Sequence, residues 1–173
     1  MEPKSIGVIG GGAWGTGLSQ ALARGGHKVQ IWALEQEVKD SVNNEHENKR
    51  YLPGYKLSPN VTVSTDINEV AVGKEFLIIA SPSLYLASTI KKITSIPNIA
   101  DGSTCIGALT KGFVPSPEGP KLVLETIENV LPGIYKGSTV YVSGPSHAEE
   151  VAMGKLTGLI AACENPKNSI RFR

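Results

Sequence analysis

The chain has 173 residues, which is enough for one domain. Hydrophobic residues make up 40% of it and charged residues 19%, fractions that are ordinary for a globular protein. The 17 basic residues nearly balance the 16 acidic ones, so the composition excludes the strongly basic surface that binds nucleic acids or membrane surfaces. A small anionic ligand is compatible with this balance, because a few well-placed groups can bind one.

Nothing in the sequence indicates export or membrane insertion. Residues 1–5 are followed by a short apolar run, and no run approaches the roughly 18 apolar residues that a membrane span needs. The two cysteines, Cys105 and Cys163, lie far apart in apolar runs, which predicts buried, reduced thiols. We therefore expect a cytoplasmic protein without a membrane span.

Short apolar runs alternate with helical patterns along the chain. Near-continuous apolar strands of this kind predict a doubly wound α/β domain, with a mainly parallel sheet and helices on both faces. The segment 44–59 is predicted as a long surface loop. Strands are predicted at residues 6–9, 29–32, 76–80, 104–109, 140–143 and 156–162. Helices are predicted at residues 14–24, 35–43, 118–131 and 147–153, with a further helix starting at Pro82.

A glycine-rich turn follows the first predicted strand. Residues 10–15 match the pattern G-x-G-x-x-G, between that strand and the first helix. In a dinucleotide-binding turn, Gly10 would make the tight bend, Gly12 would let the backbone approach a pyrophosphate, and Gly15 would let helix and strand pack closely. The alternative is a purely structural strand–helix turn, but the position between strand and helix favours a dinucleotide site.

The end of the second strand bears on the choice between NAD and NADP. Residues 32–35 read Trp-Ala-Leu-Glu, without the arginine that commonly binds a 2′-phosphate. Glu35 is the only acid there and lies slightly past the usual position of the acid that binds the ribose. This pattern favours NAD and leaves NADP open.

Four motifs, in order, resemble the NAD(P)-dependent glycerol-3-phosphate dehydrogenase family. Residues 10–16 resemble its G-x-G-x-W-G-S/T fingerprint, and residues 45–54 resemble H-E-N-x-x-Y-L-P-G in the form typical of NAD-using members. Residues 110–112 match T/I-K-G, and residues 143–152 match S-G-P-S/T-x-A-x-E-V/L-A. The resemblance covers most of this chain but only about half of a family enzyme.

The resemblance implies a Rossmann-like fold and hydride transfer between NAD(H) and dihydroxyacetone phosphate or sn-glycerol 3-phosphate. Residues 1–173 would form the dinucleotide-binding domain. A helical domain absent from this chain would supply a second lysine as general base. The implied cofactor-binding residues are Gly10, Gly12, Ala13, Trp14, Gly15, Leu34, Tyr85, Lys111 and Ala148. The implied substrate-binding residues are Lys111, Gly144 and Ser146, with Lys111 also catalytic.

Several of these residues have plainer interpretations. Lys111 could be a solvated surface lysine, and Tyr85 an ordinary core aromatic. Ser146 could cap the following helix, with Glu149 at the reciprocal position of a capping box. His147 is expected to be a surface histidine rather than a general base, and no group of residues has the spacing of metal ligands.

Two rival functions stay open. The chain could be an NAD-binding regulatory module, or the first domain of another hydroxyacid or imine reductase. The motifs at 110–112 and 143–152 argue against the second rival.

The chain departs from the family pattern at Gly17. The family usually has alanine there, and the glycine costs roughly 1 kcal/mol of helix propensity. The oligomeric state is open, a homodimer of the full-length enzyme included.

Overall fold

The computed structural model describes residues 2–172 of the chain. The strands are β1 (Ser5–Ile9), β2 (Lys28–Trp32), β3 (Val61–Ser64), β4 (Phe76–Ile79), β5 (Cys105–Ala108), β6 (Val140–Ser143) and β7 (Ile160–Ala162). The helices are α1 (Ala13–Arg24), α2 (Gln36–Glu45), α3 (Ile67–Ala71), α4 (Leu86–Lys91), α5 (Pro97–Ala100), α6 (Val123–Val130), α7 (Ala148–Met153) and α8 (Pro166–Arg171).

The strands form one seven-stranded sheet in the order β3-β2-β1-β4-β5-β6-β7. Strands β1 to β6 are parallel, and β7 pairs antiparallel with β6. The strand order reverses between β1 and β4, which makes this the topological switch point where open α/β sheets bind ligands beyond the carboxyl ends of their strands. The predicted doubly wound, mainly parallel fold is confirmed.

Two hydrophobic layers cover the two faces of the sheet, because successive side chains of a strand point to opposite faces. On β4, Leu77 and Ile79 pack into a cluster with residues of α3, α4, α5 and α6. Ile78 points the other way, into a cluster with residues of α1 and α2. The central strands are therefore buried on both sides, which explains their near-continuous apolar sequences.

Two predicted elements were too long, and one strand and the three short helices α3, α5 and α8 were not predicted. The last strand was predicted over 156–162, but only Ile160–Ala162 pairs at the sheet edge, and Leu156 is fully exposed. The helix predicted over 118–131 begins only at Val123, because Lys121 instead pairs through its backbone with Val114 in both directions. Strand β3 was not predicted, since its four residues gave too short a pattern.

The segment 44–59 was predicted as a surface excursion, but much of it packs on the domain. Asn48, Leu52 and Leu57 are almost completely buried. Leu52 packs against residues of α1 and α7, and Leu57 joins the cluster around β1 and β2. The segment is therefore a packed part of the domain and lies beside the glycine-rich turn.

The two cysteines are free thiols in the structure, with Cys105 buried and Cys163 half-buried. Burial raises the pKa of both thiols above the ordinary cysteine value. Both groups are therefore held as neutral thiols at neutral pH. Within residues 2–172, every helix is too short or too polar to cross a membrane.

Candidate functional site

The turn at residues 10–15 needs glycine at different positions for different reasons. Gly10 has φ of 132°, and a Cβ there would lie 2.7 Å from the backbone carbon of Ala80. A Cβ at Gly15 would overlap the carbonyl oxygen of Gly10. At Gly12 a Cβ would meet no further atom of residues 2–172 within 4 Å, and the backbone is extended, with φ −69° and ψ 178°. The chain itself therefore gives no reason for glycine at position 12, whereas a ligand lying there would.

Gly12 is the N-cap of α1 and leaves the first amide groups of that helix without a side-chain partner. The first turn of α1 contains no acidic residue. The twelve-residue helix therefore presents free N–H groups and the positive end of its dipole to the space beside Gly12. This is the electrostatic environment that a pyrophosphate requires.

Asn48, in the 44–59 segment, stabilises the glycine-rich turn through side-chain hydrogen bonds. Its side chain is 1% exposed, and its Nδ2 donates to the carbonyl oxygen of Gly11 at 2.9 Å and to Oγ1 of Thr16 at 2.8 Å. The backbone N–H of Tyr51 donates to Asn48 Oδ1 at 3.1 Å. No role was predicted for Asn48, although it lies in the motif at 45–54, because the bond to Gly11 joins residues 37 positions apart.

A cavity of about 460 Å³ opens beyond the carboxyl ends of β1, β2 and β4. Gly10 to Gly12 form one end of it. Leu34 and Tyr85 line it while remaining 70% and 59% exposed, so Tyr85 is not a core aromatic. The structure thus places two of the predicted cofactor-binding residues, Leu34 and Tyr85, on the same cavity. Several further residues line the cavity without having been predicted: Trp32, Tyr51, Ser81, Ser88, Thr89 and Lys92.

Charged groups gather at the end of β2. The Tyr51 hydroxyl donates to Glu35 Oε1 at 2.6 Å, and Arg50 lies over the Tyr51 ring, 5.3 Å from its centroid. Arg50 also forms an ion pair with Glu37. Although no basic residue stands at the strand end in the sequence, folding brings this arginine close to it.

A second basic group, on Lys92, lines the cavity. Lys92 follows α4 and holds its Nζ 5.6 Å from the centroid of the Trp32 ring. A tryptophan face attracts a cation at this distance. No motif contains Lys92, and its place at the cavity depends on how α4 packs against the sheet.

The residues predicted for substrate meet beyond β5 and β6. Lys111 follows β5, and its Nζ lies 3.4 Å from the carbonyl oxygen of Ser146 and 5.6 Å from the centroid of the Trp14 ring. Ser146 is buried, and its hydroxyl donates to the carbonyl oxygen of Gly144 at 3.2 Å. Lys111 therefore contacts both the start of α1 and the loop at residues 144–147, which carries Gly144 and Ser146 and is called the substrate loop.

The capping-box interpretation of Ser146 was wrong. The N-cap of α7 is His147, and the Ser146 hydroxyl is directed to Gly144 instead. The side chain of His147 makes no capping hydrogen bond, and the residue is exposed, as expected for a surface histidine. Within residues 2–172, no three histidine, cysteine or carboxylate side chains are grouped to hold a metal ion.

Residues 5–169 match the family described as NAD-dependent glycerol-3-phosphate dehydrogenase N-terminus. The chain belongs to this family. The glycerol-3-phosphate dehydrogenase (NAD(P)+) of Treponema denticola is 47% identical over 97% of the chain and 49% of its own length. The corresponding protein of Bacillus velezensis is 37% identical over 95% of the chain and 46% of its own length. The chain therefore spans about half the length of the curated relatives that it matches.

Solved structures agree with this assignment. The glycerol-3-phosphate dehydrogenase of Coxiella burnetii superimposes with a TM-score of 0.85 at 30% identity, over 98% of the chain and 50% of that structure. A pyrroline-5-carboxylate reductase of the same organism superimposes with a TM-score of 0.69 at 15% identity. At that identity the second likeness concerns the fold alone.

Within this glycerol-3-phosphate dehydrogenase N-terminal domain, Gly17 has a packing role. A Cβ at Gly17 would lie 2.7 Å from the carbonyl oxygen of Ala148, so the glycine lets the backbones of α1 and α7 approach closely. Ala148 is consequently buried against Ala13 and Trp14, and Arg24 donates to the carbonyl oxygen of Ala152. This packing holds the start of α7 beside the glycine-rich turn, which helix propensity alone did not reveal.

Proposed function

We propose that this chain is the dinucleotide-binding half of an enzyme that interconverts dihydroxyacetone phosphate and sn-glycerol 3-phosphate with NAD(H). The observation that carries the proposal is the open space at Gly12 in front of α1, with Lys111 and Ser146 gathered at the ends of the neighbouring strands. Family membership supports it, and so do the names of the relatives.

The residues present fit a nicotinamide dinucleotide part by part. The free N–H groups behind Gly12 would hold the pyrophosphate. Leu34 and Tyr85 would flank the adenine with apolar surface. At the other end, Trp14 and Ala148 would lie toward the nicotinamide, since both are close to the substrate loop.

The protein contributes orientation and electrostatics to the proposed reaction. The bound cofactor supplies or takes up the hydride. Lys111, which follows β5 at the ligand edge of the sheet, would attract the negatively charged oxygens of the substrate. Gly144 and Ser146 would form the adjoining wall. We place the general base outside residues 1–173, in the half by which the relatives are longer.

Within this function we favour NAD over NADP. The carboxylate of Glu35 stands at the end of β2, and the neighbouring Arg50 is already paired with Glu37. We also propose a cytoplasmic location, which the two free, neutral thiols support.

A binding titration tests the proposal. NADH added to the 173-residue protein is expected to quench Trp14 and Trp32 and to bind at micromolar to millimolar concentration. AMP is expected to compete, because it carries the adenosine end that the cavity would hold. A Lys136→Ala variant serves as control and should bind NADH with unchanged affinity, since Lys136 bonds to Asn129 at the surface and does not line the cavity. Absence of NADH binding at millimolar concentration would refute the proposed function.

A further inference from the structure

The end of β2 carries a hydrogen bond that neither capping nor core packing requires. Glu35 is the N-cap of α2, yet its side chain makes no capping bond to that helix. Its Oε1 instead accepts the Tyr51 hydroxyl at 2.6 Å, and both residues line the cavity. The carboxylate is half-buried and has a second oxygen and further lone pairs for other donors.

Tyr51 is itself fixed to the glycine-rich turn. Its backbone N–H donates to Asn48 Oδ1, and the other end of the Asn48 amide bonds to the carbonyl oxygen of Gly11. The Glu35 carboxylate is therefore tied, through Tyr51 and Asn48, to the turn in front of α1. Its position relative to the proposed pyrophosphate site is set by three hydrogen bonds rather than by the free rotation of a glutamate side chain.

We propose that Tyr51 is a specificity-determining residue for the cofactor, because it holds the Glu35 carboxylate where it accepts the ribose hydroxyls of NADH and repels the 2′-phosphate of NADPH. This inference rests on the proposed function. A carboxylate that accepts two ribose hydroxyls favours NADH. Two unit charges of the same sign, about 4 Å apart, weaken binding by roughly fivefold in bulk water and by several hundredfold near a protein surface.

The neighbouring charges are consistent with this role. The positive end of the α2 dipole would attract an anion such as the 2′-phosphate of NADPH. The carboxylate of Glu35 stands at that end of the helix and opposes this attraction. Arg50 stacks on Tyr51 but is paired with Glu37, so these two residues add no net charge. Lys92 also lines the cavity, where it lies over the Trp32 ring rather than in an ion pair with Glu35. The bond to Glu35 also raises the pKa of the Tyr51 hydroxyl, which keeps it a donor at neutral pH.

The test is the ratio of NADH to NADPH affinity, measured by isothermal titration on the 173-residue protein. The wild type is expected to prefer NADH by about tenfold or more. Tyr51→Phe should weaken NADH binding several-fold and leave NADPH binding unchanged or stronger, so that the ratio falls. Glu35→Gln should lower the ratio through loss of the charge. The double variant should go little further than Glu35→Gln alone, because Tyr51 acts through Glu35.

Tyr55→Phe is the matched control. Tyr55 lies in the same segment and packs near Leu52, but its hydroxyl makes no hydrogen bond within residues 2–172, so the ratio should not change. Circular dichroism and melting curves show whether each variant folds.

The possible outcomes separate this inference from the function on which it rests. Binding of NADH with a ratio that Tyr51→Phe leaves unchanged, or an equal loss of both affinities, would overturn the role of Tyr51 and spare the proposed function. A wild-type preference for NADPH would overturn both the role of Tyr51 and the choice of NAD over NADP, and its loss in Arg50→Ala or Lys92→Ala would identify the basic group responsible. Failure of the wild type to bind either dinucleotide would overturn both this inference and the proposed function.

Discussion

Substituting alanine at two glycines of the same turn separates ligand binding from folding. At Gly12 the new methyl group would point into open space, and the extended backbone there suits any residue. Loss of a glycine from the unfolded chain stabilises by about 0.4–1 kcal/mol, while alanine is a poorer N-cap by a similar amount. The unfolding free energy should therefore change by less than about 1 kcal/mol.

NADH binding, in contrast to stability, should weaken strongly in Gly12→Ala. The methyl group of Gly12→Ala would stand between the amide groups of α1 and the pyrophosphate. A hydrogen bond to a charged partner contributes about 1.5–3 kcal/mol, which corresponds to roughly a tenfold to hundredfold loss of NADH affinity. Gly12→Val should lose binding altogether.

Gly15→Ala is the comparison, because its methyl group would overlap the carbonyl oxygen of Gly10. Overpacking of this kind costs about 1–3 kcal/mol or more, so this variant should melt earlier whether or not it binds. The assays are urea unfolding and isothermal titration with NADH. Wild-type affinity in Gly12→Ala, or a loss of stability as large as that of Gly15→Ala, would refute the assignment of the space beside Gly12 to a pyrophosphate.

Three further predictions address packing, cofactor choice and pH. Gly17→Ala should lower the melting temperature despite its gain of roughly 1 kcal/mol in helix propensity, because the methyl group would meet the Ala148 carbonyl; a higher melting temperature would contradict the close packing of α1 on α7. Leu34→Arg should narrow or reverse the preference for NADH by pairing with the 2′-phosphate, and titration with both dinucleotides checks this; an unchanged ratio would place the phosphate elsewhere. Burial raises the pKa of Tyr135 to about 12, against about 10 in the unfolded chain, so its contribution to stability is complete below pH 10 and declines as the pH rises toward 12. Urea unfolding should therefore show the advantage of wild type over Tyr135→Phe shrinking across that interval, and a constant advantage would argue against the burial of the phenol.

The parts of the fold that the sequence predicted are those with a local cause. Strand β4 shows a continuous apolar run because it is buried on both faces, and the glycines at 10 and 15 mark backbone that no other residue fits. Strand β3 has only four residues, and its pairing with β2 supplies the stability that its own pattern does not indicate.

The parts of the site that the sequence did not predict depend on contacts between distant residues. Asn48 looks like an ordinary loop asparagine until its bond to Gly11 is seen. Arg50 occupies an unspecified position of the motif at 45–54 and contacts the cavity-lining Tyr51, and Lys92 reaches the cavity from the end of α4, where no motif was found. A single sequence shows which residue types are present, but not which solvated side chains folding brings together.

Lys111 lies between the proposed substrate and cofactor sites, because it is beside Ser146 and faces the ring of Trp14. A hydride acceptor must be held from both sides, and closing the cleft excludes water and completes the catalytic set. Lys111, Gly144 and Ser146 form only one wall of the proposed substrate site.

The most direct test is NADH oxidation in the presence of saturating dihydroxyacetone phosphate, followed by loss of absorbance. The 173-residue protein is predicted to bind NADH but to oxidise it negligibly. A chain extended to the length of its relatives should turn over, and Lys111→Ala in that chain should abolish most of the activity. Robust oxidation by the 173-residue protein would contradict the account, since the general base would then lie within these residues, and His147 would be the first candidate.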